Sequence, residues 1–259
     1  MVKWKLLLTT LPYMVIALGT KLAIEHFLQF EGVVEFSDIG LVLTGGVFLI
    51  GFMLAGTMAD YKESEKLPAE LACALEAIEE TFAQAAASKP AIDLAESRKA
   101  VLRAGEAIHA WLFRKIDQRQ MYAALDELGG AIQQLEKAGA TPLGVRAMNE
   151  LATLRKLTTR IGVISRTGFL ASGYALLETL TIVILGLLVI SKFKSMLAEV
   201  VLIPFVTLIY VYMIRLIRDI DDPFEYEEGG VKGAAEVELF PVEEYLERLR
   251  GRTAAASKP

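Results

Sequence analysis

Cysteine is almost absent from this chain. Cys73 is the only one, so no disulfide can form within it. Histidine is nearly as scarce: His26 and His109 are the only two, and neither sits in the Cys/His/Asp spacing that holds zinc. The sequence has no glycine-rich phosphate loop, no Gly-x-Ser-x-Gly elbow and no His-Glu-x-x-His pair. Enzymatic chemistry therefore has few places to reside. Cationic excess is also missing. A net charge of -5 and a pI near 5.3 give no footing for nucleic acid. No stretch of any length alternates like a half-buried strand, and no segment repeats. Cys73 itself lies in an Ala/Leu-rich helical stretch and reads as a small core residue rather than a nucleophile.

What the chain has in quantity is apolar surface. With 54% hydrophobic residues and a mean hydropathy of +0.42, it is too apolar for an ordinary soluble domain. Four runs approach the ~20 residues that a hydrocarbon core requires. They are Leu6 to Phe27 (with Lys21 and Glu25 weakening its end), Ile39 to Ala59, Gly168 to Ile190 and Leu197 to Ile217. The first follows Met-Val-Lys-Trp-Lys, as a signal peptide would. No small-x-small cleavage site comes after it, so the reading is an uncleaved membrane helix. The expectation is an all-α membrane protein: four transmembrane helices with a helical cytoplasmic region. The divisions fall at 1–59 (helices 1 and 2), 60–166 (cytoplasmic), 167–217 (helices 3 and 4) and 218–259 (acidic linker, short amphipathic helix and tail).

Lysine and arginine bias sets the orientation. Lys3 and Lys5 precede the first run; Arg155, Lys156, Arg160 and Arg166 precede the third; Arg215 and Arg218 end the fourth. That side is cytoplasmic, with both termini on it, in a multi-pass protein of the plasma (inner) membrane. The first connecting loop, with Glu31, Glu35 and Asp38, lies outside. So do Lys192 and Lys194, which either concentrate anions at an outer mouth or simply snorkel.

The insert reads as helical throughout. Leu67, Leu71, Leu75, Ile78 and Phe82 form one stripe, with Pro68 kinking or restarting the helix and Ser88-Lys89-Pro90 ending it. A second helix from about Ala91 carries Leu94, Val101, Ile108 and Leu112. Gly129-Gly130 marks a kink or turn before Ile132 and Leu135. Thr141-Pro142 reads as an N-cap with Pro at N1. The helix that follows, with Met148, Leu151, Leu154 and Ile161, is expected to run on into the third membrane helix. Beyond Ile217 come an acidic linker with Gly229, Gly230 and Gly233, then an amphipathic helix on Val242, Tyr245, Leu246 and Leu249. The tail Thr253 to Pro259 is expected to be disordered.

Two polar features stand out. Glu178 lies near the middle of the third run, where a lone carboxylate costs a few kcal/mol unless it faces protein or water. It either serves transport or packs as a neutral, hydrogen-bonded acid, with Ser172 and Thr179 as candidate partners. The run Asp219, Asp221, Asp222, Glu225, Glu227, Glu228 either binds a divalent cation or is a solvated linker.

The second run holds the stripe Thr44, Phe48 and Phe52, with Gly51 and Ala55 in a small-xxx-small relation that admits a close neighbour. Gly45-Gly46 reads as helix packing. Phe-x-x-Gly-Phe followed by a charged exit with Asp60, Tyr61 and Lys62 resembles the second helix of the bestrophin channels. Asp222-Pro223-Phe224 and its acidic sequel resemble the Asn-Pro-Phe-Gly-acidic run after their last membrane helix. The layout is most similar to the bacterial bestrophin-like membrane proteins. The resemblance implies a homopentameric channel, not an enzyme, conducting chloride or other monovalent anions through a pore lined by the second helix. Its neck is typically Ile-x-x-x-Phe-x-x-x-Phe; Phe48 and Phe52 match, and Thr44 departs. It also implies a calcium clasp as one use of Asp219, Asp221, Asp222 and Glu225, with no other cofactor. Expected partners are the bilayer, other copies of the chain and the permeating ions. The alternative is a non-conducting membrane scaffold or sensor whose cytoplasmic helices bind a partner.

Overall fold

In the computed structural model of the protein, residues 2–30, 32–167, 171–226 and 235–256 are described. Glu31, Gly168, Glu227, Glu228, Gly229, Gly230, Gly233, the last three residues of the tail and the side chain of Lys3 lie outside them. The helices are α1 (Val2–Leu28), α2 (Gly40–Ser64), α3 (Leu67–Ser88), α4 (Leu94–Leu112), α5 (Gln118–Lys137), α6 (Thr141–Ile164), α7 (Ala171–Ile190), α8 (Met196–Asp221) and α9 (Phe240–Ala256). Two-residue strands β1 (Val34–Glu35) and β2 (Ser191–Lys192) pair in parallel. They are too short to leave a period-2 signal in the sequence. The chain forms two compact units: Met1–Tyr61 with Gly168–Asp222, and Lys62–Thr167 with Pro223–Pro259.

The first unit holds α1, α2, α7 and α8. All four are long and apolar enough to cross a membrane, with windows of mean hydropathy from 1.6 to 2.3. The protein is an all-α membrane protein. Its helices alternate in direction. At one end Arg215 on α8 donates to the Thr9 carbonyl of α1 at 2.7 Å. At the other, Lys21 on α1 donates to the Ser191 carbonyl after α7 at 2.7 Å. Between them lies an apolar core of Ile50, Met53, Leu177, Ile184, Leu188, Tyr210 and Ile217.

The second unit is a bundle of α3, α4, α5, α6 and α9. Leu71, Leu75, Ile78, Phe82, Val101, Ile108, Leu125, Leu128, Ile132, Leu154, Val242, Tyr245 and Leu249 are buried to near completion. Apart from Leu125 and Leu128, these are residues that helical spacing selects; of the others so selected, Leu94 is only half-buried and Met148 is exposed while Ala147 takes the core position. Cys73 is exposed, against the core reading. The stripe itself explains why: two residues from both Leu71 and Leu75, Cys73 is turned about 200° away from them.

Helix ends differ from expectation in four places. The second stripe is broken at Phe113–Asp117, because Asp117 caps a new helix by a capping box: its carboxylate accepts from Gln120 N at 2.7 Å, and Gln120 Oε1 accepts from Asp117 N at 3.0 Å. Gly129 and Gly130 then lie inside continuous α5. At α6 the N-cap is Ala140, with Pro142 at the second helical position, and the helix stops at Ile164 rather than continuing into α7. Thr253–Ala256 are helical rather than disordered, with the Thr253 hydroxyl donating to the Leu249 carbonyl at 2.8 Å.

One buried acid ties three helices of this bundle. Glu79 on α3 meets Arg98 of α4 at 2.9 Å and Arg252 of α9 at 2.7 Å. Glu79→Ala leaves both guanidiniums without it and should lower the stability of this unit by about 3 kcal/mol in urea unfolding. Tyr245 packs beside this group. Its hydroxyl is buried with no hydrogen bond among the described residues, and burial, reinforced by Glu79, raises its pKa. A raised tyrosine pKa contributes stability that is present below the unfolded value of about 10 and is lost as pH rises past it. Tyr245→Phe should therefore be neutral or stabilising at pH 7, and should soften the loss of thermal stability above pH 10.

Candidate functional site

Helix α2 is two-faced. Ile39, Ile50, Met53 and Thr57 are buried along one side. That side meets α7 and α8 closely because Gly46 has no side chain: a Cβ there would stand 2.9 Å from Ile184 Cδ1 and collide with the Tyr210 ring. The Tyr210 hydroxyl donates to the Leu43 carbonyl at 2.6 Å, fixing α8 against α2. The packing read into Gly45-Gly46 thus belongs to Gly46; around Gly45 there is open space. The opposite face carries Thr44, Phe48 and Phe52. All three are exposed, the two rings at 76% and 71%. Gly51 and Ala55 lie on this bare face too, and nothing approaches Gly51 within the chain. The Thr44 hydroxyl donates to the Gly40 carbonyl at 2.9 Å.

Glu178 is not a lone carboxylate. It lies in the first half of α7 and forms an ion pair with Arg218 of α8, both half exposed. Arg218 also lies over the Tyr174 ring at 5.8 Å. Of the expected partners, Thr179 donates to its own helix at the Ala175 carbonyl, 2.7 Å away. The sequence signal for Arg218 was present, but it was spent on orientation.

The acidic run is divided. Asp219 and Asp221 belong to the last turn of α8, which reaches Asp221 and so includes part of the expected linker. Asp219 faces Lys5, and Asp221 stands beside the Tyr174 hydroxyl. Glu225 lies 3.9 Å from Arg114 in the second unit. Among the described residues, no group of three or more His, Cys, Asp or Glu side chains is gathered as a metal requires.

Lys192 and Lys194 are exposed where α7 turns into α8. Their backbone is held by the β1–β2 pair, by stacking of Phe36 on Phe193 at 5.0 Å and by Gly32. Gly32 has φ +91° and sits so close that a Cβ would be 2.8 Å from Lys192 N.

Beneath this turn lies a group that reading the sequence missed. Lys21, fully buried, places its ammonium 2.7 Å from Glu25, 2.7 Å from the Ser191 carbonyl and 4.0 Å from Glu199. The ring of Phe193 lies 5.9 Å away. Glu199 is itself buried, and its Oε1 has no hydrogen bond among the described residues. In the sequence, Lys21 and Glu25 interrupt an apolar run at i,i+4. Their spacing and the unexplained Glu199 in the next apolar run were the available signals.

By sequence, the chain matches no family model and no curated protein. By structure, it is similar to bacterial bestrophin homologues from Klebsiella pneumoniae. A mutated form superposes with a TM-score of 0.76 at 14% identity, covering 95% of this chain and 99% of that one. A second structure gives 0.73 at 15% identity, covering 98% and 99%. The fold is that of the bestrophin homologues.

Lys21→Met removes the cation that faces the buried Glu199 and the half-buried Glu25. Thermal unfolding in mild detergent should show a loss of about 3–5 kcal/mol. Adding Glu199→Gln should recover at least about 1 kcal/mol of it, since the two residues act as one group.

Proposed function

We propose that the chain is a bestrophin-family subunit that assembles, as a pentamer, into an anion-conducting channel with α2 around the pore. The observation that carries this reading is the division of α2. One face is committed to α7 and α8 through Gly46, Tyr210 and Ile50, and the other presents Phe48, Phe52 and Gly51 uncovered. Four packed helices leave no hydrated path along their own centre, so conduction requires a ring of subunits about an axis. With α2 turned to that axis, Phe48 and Phe52 form two apolar rings about 5.4 Å apart. Such rings offer no polar ligand to replace an ion's water. They pass weakly hydrated anions more readily than strongly hydrated ions. The end bearing Arg215, Arg218 and Lys5 faces the cytoplasm by the positive-inside rule, and Lys192 and Lys194 at the other end raise the local anion concentration. Permeation of this kind needs neither a reaction nor a resident metal.

The test is flux from liposomes holding the purified protein. Phe48→Ala with Phe52→Ala should raise chloride flux several-fold and flatten the preference among halides and nitrate. Thr44→Ile should lower it. A double-Ala protein that assembles yet conducts like the parent would remove α2 from the pore, and native mass spectrometry showing only monomers would remove the channel.

A further inference from the structure

Two carboxylates face one ammonium at the loop end of the first unit. Lys21 has three N–H donors. One meets Glu25 and one the Ser191 carbonyl, each at 2.7 Å. Glu199 Oε1 stands 4.0 Å from the ammonium, beyond hydrogen-bond distance, and accepts from no donor among the described residues. The Glu199 side chain is 8% exposed and that of Glu25 32%, so one acid is sealed and the other reaches solvent. The two carboxyl groups also face each other. Among the described residues, the charged groups facing Glu199 are thus Lys21 and Glu25 of α1. The turn after α7 brings the uncharged Ser191 carbonyl and Phe193 ring to Lys21, while Lys192 and Lys194 on it are exposed.

With both acids ionised, this packed group carries one net negative charge and a buried oxygen with no donor. Both conditions are costly in a low dielectric. A metal ion does not fit the donor set, because among the described residues no three such side chains gather here. A proton does. Placed on one acid, it gives that acid an O–H to donate to the other and brings the charge to zero, as in other carboxyl pairs that share a site.

We propose that Glu25 and Glu199 share one proton, taken from the solution at this end of the bundle, and that it sets how firmly the turn between α7 and α8 is held. Glu25 is its entry point. With the proton in place, Lys21 is left to Glu25 and the Ser191 carbonyl, which is the geometry observed. Once it is lost, the two carboxylates repel, Glu199 draws the third N–H of Lys21, and the ammonium leaves the Ser191 carbonyl. Ser191 opens β2, which pairs with β1. The Val33 N–H to the Ile190 carbonyl at 3.0 Å and the Phe36 N–H to the Lys192 carbonyl at 3.2 Å extend that pairing. Freeing Ser191 therefore loosens both connections at this end together.

The test reads the turn and the proton, not ion flux. Cys73 is the only cysteine, so the full chain with Cys73→Ser and Lys194→Cys takes one nitroxide label on the turn. Its spectrum is followed in nanodiscs from about pH 5 to about pH 9. The label should be ordered at the acid end, and its mobile fraction should rise at least about threefold along a one-proton curve. Glu199→Gln and Glu25→Gln each leave a single acid for Lys21, so either should hold the label ordered across the range. Infrared difference spectra, parent minus either variant, should show the C=O stretch of a protonated carboxyl at the acid end, lost along the same curve. A flat label profile in the parent would overturn the proposal. So would a profile that persists in both Gln variants, or the absence of that carboxyl band.

Discussion

A charge placed among hydrocarbon must bring its counter-charge, and this rule governs how the four apolar helices meet. At the loop end Lys21 holds Glu25, approaches Glu199 and caps the Ser191 carbonyl. At the other end Arg218 holds Glu178, Arg215 takes the Thr9 carbonyl and Lys5 faces Asp219. Between lies a core of aliphatic residues and tyrosine, with Thr57, Thr181 and Thr207 buried on the same helices. Dispersion alone discriminates poorly between registers of one greasy helix on another. The polar contacts at both ends fix register and depth, and they involve α1, α7 and α8 but not the bare face of α2.

That exclusion matters. Within the first unit, α2 is held by shape, through Gly46 against Tyr210 and Ile184, and by the Tyr210 hydrogen bond to the Leu43 carbonyl. The face with Phe48 and Phe52 is free to meet lipid or other copies of the chain without breaking a polar contact inside the protomer. In the proposed assembly this lets the pore helix change residues while the bundle behind it stays intact.

The sequence carried periodicity well and pairing poorly. The stripes of α3 and α9 were legible because an apolar residue every three or four positions has one physical meaning, burial. The same stripe, read in phase, would have turned Cys73 to the surface. The break before α5 was written in Asp117 and Gln120, three residues apart, but an apolar pattern continuing on either side hid it. Ion pairs were not legible, because Glu178 and Arg218 or Lys21 and Glu199 lie on different helices. Only the fold makes them neighbours. For the same reason the acidic run looked like one cluster in sequence, whereas its members face Lys5, Tyr174 and Arg114 separately.

A fold shared at 14% identity with a TM-score of 0.76 shows how little the bilayer asks of particular residues. It asks for apolar length, a few small residues at crossings and satisfied charges. Individual residues acquire meaning where a path narrows, and there Thr44 bears closer reading than its polarity suggests. Its hydroxyl hydrogen is given to the Gly40 carbonyl at 2.9 Å. What remains toward the bare face is a methyl group and oxygen lone pairs. Anions need donors, and this threonine has none left to offer. In the proposed neck it would therefore line the path as a small, nearly apolar residue, widening the ring that isoleucine narrows in the bestrophin pattern without providing an anion site. Selection among anions would then rest with the two phenylalanine rings and the cost of shedding water there.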